Sequence, residues 1–382
     1  ALPIWRKRMN KSPEHKAMKV FHFIHGLTFG GAETLVKDFA LGLDKNKFEV
    51  TVLCSIKHGT AYESLLENAG IRVIYIHDYT KRFPKNMFEK TLLCIQRFFS
   101  VRHVLREENP DIIHIHLCLN SYVKFAKPRK GTKLFYHVHA EPTFVWRNNT
   151  QDKKDACWLV KHYGMRFITL HERMRREINE MFGVEDAVVL NNGIDFNRFT
   201  NFISREVKRT ELHIPQNAFV LGHVGRFEPE KNHQFLVEIF ASAVKQNENA
   251  FLLLVGDGSL KKEIESELNV CGFAGKYLIL SNRSDIPDIL HSMDVFLLPS
   301  LCEGLGIVLI EAQKAGVRCI ASDAVPQATS VSNLITYKSL SDSAALWADT
   351  ALRFSVPQIT YDGMENWDMK NVIKRLEEIY TA

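Results

Sequence analysis

The stretch Met293–Ala312, MDVFLLPSLCEGLGIVLIEA, reads as a strand, a turn and a helix in immediate succession. Val295–Pro299 is a strand-like run ending at a proline, whose missing N–H cannot serve a central ladder. Leu301-Cys302-Glu303 is a polar turn, and a helical run then continues to about Ala315 and is closed by Gly316. A buried strand leading straight into a helix is half of a βαβ unit, the element from which parallel sheets are built.

The same rhythm extends in both directions. The second half offers strand-like runs at Phe219–Val224, Phe251–Val255, Tyr277–Leu280 and Val317–Ala321. The first half offers Val20–His25, Phe48–Ser55, Arg72–His77, Asp111–His116, Lys133–His139 and Arg166–Leu170, separated by amphipathic segments such as Glu33–Leu43, Tyr62–Asn68 and Asn86–Glu108. The turn-rich Asn191-Asn192-Gly193-Ile194-Asp195 interrupts the series before it restarts near Phe219. The expected fold class is therefore α/β, with two doubly wound Rossmann-like domains facing each other across a cleft. The expected boundaries are residues 1–17 as an N-terminal extension, or residues foreign to the fold, then 18–198 and 199–362 as the two domains. Residues 363–382 form a terminal helix with Val372, Ile373, Leu376 and Ile379 at helical spacing.

Composition narrows the class. At 382 residues the chain is long for one core, and 46% hydrophobic with 24% charged residues is ordinary for a globular protein. No run approaches the roughly 20 apolar residues that cross a bilayer. The basic start, Ala1–Lys19, has no apolar centre and so is no secretory signal. Seven cysteines without a Cys-x-x-Cys pair argue for a reducing, cytoplasmic setting with most of them buried. A net charge of +5 without a basic run argues against a nucleic-acid partner.

Candidate chemistry concentrates around Glu303. Gly304 and Gly306 let a ligand approach the backbone, and free amides at a helix start suit a diphosphate. Glu303 and Glu311 are eight residues apart, about 12 Å along a continuous helix. Glycosidase carboxylate pairs sit roughly 5–9.5 Å apart. The spacing suits instead hydroxyl groups at the two ends of a nucleotide sugar, and Glu311 inside an apolar run needs a partner if buried. Gly26-Leu27-Thr28-Phe29-Gly30-Gly31-Ala32-Glu33 also follows a strand, but its glycines are wrongly spaced for a dinucleotide fingerprint.

At these residues the chain resembles the retaining glycosyltransferases of family 4. The segment Leu298–Gly306, continuing through Leu309-Ile310-Glu311-Ala312, is similar to their Glu-x7-Glu motif, and the likeness runs from about Met18 to the end. The resemblance implies the GT-B fold, a nucleoside-diphosphate sugar donor with uridine as the expected base, and retention of anomeric configuration. It implies that Gly225–Asn232 places Arg226 and Lys231 on the donor diphosphate, where fixed cations stabilise a leaving phosphate. It further implies a donor-facing loop at Gly30 and Gly31, a histidine near the reacting sugar at His139, and nucleotide-base contacts from the backbone at Arg283 and Ser284. Donor contacts from Glu303, Gly304, Leu305, Gly306 and Glu311 complete the set. The resemblance also implies front-face substitution, which needs no enzyme nucleophile, with the leaving phosphate taking the acceptor's proton. The terminal helix is expected to cross back onto the first domain, and the polysaccharide-building members are the nearest in type.

No cofactor is expected. His114 and His116 alternate on one strand and His137 and His139 on another, a pattern that could converge on zinc; no carboxylate or cysteine completes a set, and no metal is expected. The acceptor is read as a glycan or a lipid-linked sugar. Lys124, Lys127, Arg129, Lys130 and Lys133, with Phe88, Phe98 and Phe99, could form a rim for an anionic membrane or remain a solvated face. The rival readings are a nucleotide-sugar epimerase or phosphorylase of the same fold and a non-catalytic sugar-nucleotide binding protein.

Overall fold

A computed structural model describes residues 17–28, 30–77, 86–147, 149–353, 355 and 358–382. The expected extension thus falls almost wholly outside the described residues, as do Phe29 and the Phe88 side chain. The described chain divides into two compact units. One contains the residues up to Val138 with Trp146–Ile168 and Leu376–Ala382; the other contains His139–Val145 and Thr169–Arg375. Residues 169–198, read from sequence as the end of the first domain, group with the second unit.

The first sheet uses β1 (Met18–Ile24), β2 (Phe48–Cys54), β3 (Arg72–Tyr75), β4 (Ile112–His116), β5 (Lys133–His137), β6 (Arg166–Thr169) and β7 (Val188–Val189). They lie in the order β3-β2-β1-β4-β5-β6-β7, and β1 through β6 pair in parallel. The second sheet uses β8 (Phe219–Val224), β9 (Ala250–Val255), β10 (Tyr277–Leu280), β11 (Val295–Leu298), β12 (Arg318–Ser322) and β13 (Ile335–Lys338). Its order is β10-β9-β8-β11-β12-β13, all parallel. Two parallel, helix-alternating sheets are the fold that the hydrophobic rhythm anticipated.

Both orders reverse direction at one place, between β1 and β4 and between β8 and β11. Loops leaving the carboxyl ends of those strands diverge there and open a crevice for a ligand. The Gly26–Gly31 loop leaves β1, the Gly225–Asn232 loop leaves β8, and the Pro299–Gly306 loop leaves β11. Sequence motif and topology therefore coincide.

Leu221, Leu252, Leu254, Val295, Leu297 and Trp347 are buried in one core cluster of the second unit. The first unit's core includes Ile24, Val36, Val52 and Leu66. Unusually, β1, β4 and β5 also bury His22, His114, His116 and His137. Burial alone lowers His22 to about 3 and keeps its ring neutral.

The terminal helix, Met369–Thr381, buries Val372, Leu376, Ile379 and Tyr380. Its last turn is part of the first unit. There Lys47 Nζ meets Glu377 at 2.9 Å and the Tyr380 hydroxyl meets His114 Nδ1 at 2.6 Å. Within the second unit, Ile194 exchanges backbone hydrogen bonds with Trp367 and Met369. A Cβ on Gly193 would come within 2.8 Å of Met369 Cα, so this turn admits only glycine. Among the described residues, no helix is long and apolar enough to cross a membrane. All seven cysteines are free, but only Cys54 and Cys319 are buried, against the expectation that most would be.

Candidate functional site

The loops leaving β8 and β11 are tied together at the switch point. Asn232 Nδ2 donates to Pro299 O at 3.1 Å and Leu301 N to Glu230 O at 2.8 Å. Asn232 itself is left-handed, with φ of 56°, which turns the chain sharply after Lys231. Across this joint Lys231 Nζ meets Glu303 Oε1 at 2.5 Å, and Ser300 Oγ donates to the same oxygen at 2.8 Å. Both partners are largely buried, with side chains 14% and 10% exposed. A charge pair this withdrawn from water holds its geometry in a way that a surface pair does not.

Below the β8 loop lies a brace that the sequence reading did not single out. Gly256 and Gly258 have φ of 154° and 155°, conformations reserved for glycine. A Cβ on Gly256 would overlap Gly225 O, and one on Gly258 would meet the Phe227 backbone. The signal was present as Gly-Asp-Gly directly after a strand. It escaped notice because two glycines alone are common in loops.

Glu303 is not on a helix. The helix spans Ile307–Lys314, and Gly306 at its N-cap is left-handed with φ of 80°. The 12 Å helical rise inferred between Glu303 and Glu311 therefore does not exist; the glycines break the run. Glu311 does sit on the helix, half-buried, and among the described residues nothing hydrogen-bonds its carboxylate. Burial raises its pKa to about 7, while the Arg198 guanidinium pulls the other way. Arg198, absent from the sequence reading, also donates to Ser284 O at 2.9 Å. It thereby links the Ser284 loop to the neighbourhood of Glu311.

Arg283 is occupied elsewhere. Its guanidinium binds Asp285 and Glu211, and Lys208 binds the same two carboxylates. This network holds Asp285 well below the usual carboxylate range and occupies the Arg283 guanidinium. Arg226 is exposed and pairs with Glu230 at 2.7 Å. Leu305 is buried.

His139 groups with the second unit because the backbones touch: a Cβ on Gly304 would lie 2.8 Å from His139 O and 3.0 Å from Ala140 Cα. Burial lowers His139 to about 3, which leaves a neutral imidazole that can donate and accept hydrogen bonds but carries no charge. Two residues that the sequence reading missed gather here. His171 Nε2 lies 3.7 Å from Glu141 Oε1. Burial lowers His171, with the Gly304 backbone opposing, and raises Glu141.

In the first unit, Gly30 caps the helix Gly31–Gly42, and a Cβ there would strike the Glu33 carboxylate. Glu33 also accepts from Thr28 Oγ1 at 3.0 Å. A Cβ on Gly31 would meet nothing within 4 Å. Most of the expected basic rim is engaged internally: Lys124 pairs with Asp155 at 2.6 Å, Arg129 pairs with Asp111, and Lys133 donates to Tyr380 O at 3.0 Å.

Two family models match the chain in tandem, Glycosyltransferase Family 4 over residues 29–198 and Glycosyl transferases group 1 over residues 204–336. The chain belongs to glycosyltransferase family 4. Among its relatives, EpsF of Bacillus subtilis is 27% identical over 91% of this chain and 94% of its own length. The UDP-Gal:alpha-D-GlcNAc-diphosphoundecaprenol alpha-1,3-galactosyltransferase of Escherichia coli is 26% identical over 81% and 80%. Among solved structures, Anabaena HepE in complex with UDP and glucose superposes with a TM-score of 0.74 at 19% identity, covering 96% of this chain and all of that one. That likeness identifies the fold of this family 4 glycosyltransferase as GT-B.

Proposed function

We propose that this glycosyltransferase moves a sugar, with retention of configuration, from a UDP-sugar to a glycan or lipid-linked acceptor in cell-surface polysaccharide synthesis. The observation that carries the reading is the buried Lys231–Glu303 pair at the switch point of the second sheet. On donor binding, Lys231 turns to the diphosphate and Glu303 is released to accept from sugar hydroxyls. Arg226 leaves Glu230 and adds a second cation, so that two fixed charges stabilise the departing UDP without a metal. Glu311 accepts from the ribose hydroxyls, while the Arg283–Ser284 backbone, steadied by Arg198, meets the base. Neutral His139 hydrogen-bonds the sugar, with Gly304, Leu305 and Gly306 supplying close backbone approach. By resemblance Gly30 and Gly31 also contact the donor, and the leaving phosphate takes the acceptor's proton.

The relatives' names support the substrate classes: one acts with UDP-Gal on a diphosphoundecaprenol-linked sugar, and HepE holds UDP and glucose. On the acceptor side, Leu92, Ile95, Phe99 and Phe125 are exposed on the helices Met87–Glu108 and Asn120–Ala126. An apolar face suits peripheral contact with a membrane carrying a lipid-linked acceptor, and it now supports that reading better than the basic rim does. UDP release from a panel of UDP-sugars, with and without acceptor lipid, tests the proposal. Lys231→Ala should lose about 10²–10³ in turnover with an unchanged circular dichroism spectrum; near-wild-type turnover would sink it.

A further inference from the structure

The buried histidines of the first unit have no part in that reaction. β1 and β4 pair in parallel with His22 opposite His114, so the two side chains leave the same face of the sheet. His116 is two residues further along β4 and shares that face. One nitrogen from each of the three rings lies within 4.8 Å of the other two, and all three rings are fully buried. We propose that the first unit binds a zinc-class divalent transition-metal ion in its interior, ligated by His22, His114 and His116.

The spacing matches the chemistry. Zinc holds imidazole nitrogens at about 2.0–2.1 Å, so tetrahedral ligands stand about 3.3–3.4 Å apart. His22 Nδ1 and His116 Nε2 are 3.1 Å apart. A His-x-His pair on one strand with a third histidine from its neighbour is a donor set of three imidazoles, which suits zinc, copper or nickel and leaves one position open. His137 is opposite His116 on β5, with its ring centroid 5.6 Å away, and is the nearest histidine for the fourth position within this unit.

One further observation points to a ligand. Metal-bound histidines donate their second N–H to an oxygen, and His114 Nδ1 faces the Tyr380 hydroxyl at 2.6 Å. With Nδ1 donating to that hydroxyl, Nε2 presents a lone pair.

Phe39 stacks on His114 and His137, and Tyr380 packs edge-on against His114. The site is closed, so the metal enters as the unit folds and its role is to hold β1 and β4 together rather than to catalyse.

The tag-free full chain, produced in zinc-supplemented medium and separately refolded with Zn²⁺, is analysed by mass spectrometry for bound metal. About one zinc per chain is expected. His22→Gln and His116→Gln should fall below about a tenth of that, and His233→Gln, altering a buried histidine of the other unit, should retain it. Refolding with Co²⁺ should give the visible absorption of a four-coordinate site, lost in the same two variants. Zinc at a hundred times its dissociation constant should raise the folded-to-unfolded ratio about a hundredfold. Wild type without zinc after both treatments overturns the proposal, even if the variants do not fold. Zinc that survives His22→Gln with His116→Gln overturns it as well.

Discussion

Replacing Glu311 by glutamine sets stability against binding in a way that can be calculated. Glu311 is half-buried on its helix, and burial raises its pKa from an ordinary 4.5 to about 7. A carboxyl raised in the fold contributes stability that is complete below about pH 4.5 and is lost as the pH climbs through 7. At about 1.36 kcal/mol per pH unit, the ionised form at pH 8 costs up to about 3.4 kcal/mol. The figure is a ceiling, since the group keeps some contact with water. Glutamine has the same size and no charge, so Glu311→Gln should be more stable than wild type at pH 8 and equal to it near pH 4.5. Urea unfolding at both pH values reads this directly. UDP binding, followed by calorimetry, should move the opposite way. A hydrogen bond to a charged acceptor contributes about 1.5–3 kcal/mol, so the variant should bind at least about tenfold more weakly at pH 8. Wild-type affinity should also fall about tenfold between pH 8 and pH 6 as the carboxylate protonates, and the variant should show no such fall. A variant that is less stable than wild type at pH 8, or that binds UDP equally well, refutes the reasoning.

Gly304→Ala forces a methyl into the backbone of His139 and Ala140; overpacking of about 1–3 kcal/mol should lower the unfolding midpoint, and transfer should drop more than UDP affinity. His233, stacked on Phe227, is lowered to about 4 by burial and by Lys231. Its contribution to stability is full above about pH 6.5 and falls by about 3 kcal/mol on the way to pH 4. His233→Phe should flatten that acid loss in a pH series of unfolding curves. Phe99→Ser with Phe125→Ser should reduce co-sedimentation with anionic vesicles severalfold while UDP affinity is unchanged.

The parallel sheets were legible because central strands are apolar on both faces: the run Ala250–Val255 is buried at every residue. The strands β7, visible in the sequence only as the strand-like Ala187–Leu190, and β13, which escaped, are edge strands. Val188–Val189 has two residues, and Ile335-Thr336-Tyr337-Lys338 is half-buried throughout. An edge strand has one neighbour and needs little hydrophobic signal. Lys231 and Glu303 were both legible as charged residues at glycine-rich loops, but their pairing was not. Seventy-two residues separate them, and only the switch-point topology brings them together. Arg283 shows the converse: its local motif was visible, with Asp285 two residues on, while the second carboxylate that occupies it, Glu211, lies on the helix Arg205–Glu211. His22 gave no signal, since a single histidine in a strand is ordinary until register sets it beside two more.

The last turn of the terminal helix has a consequence for the order of events during synthesis. Tyr380 is fully buried in the first unit, against residues made more than two hundred positions earlier. A ribosome adding about 5–20 residues per second takes roughly 12–50 s to go from Val138 to Leu376. Throughout that interval the emerging first unit lacks its final wedge, and the faces of Phe48, Phe135 and His114 that Tyr380 covers are open. The N-terminal half of this enzyme is thus the first to leave the tunnel and among the last parts to be finished, a window in which a chaperone or a premature stop codon decides its fate.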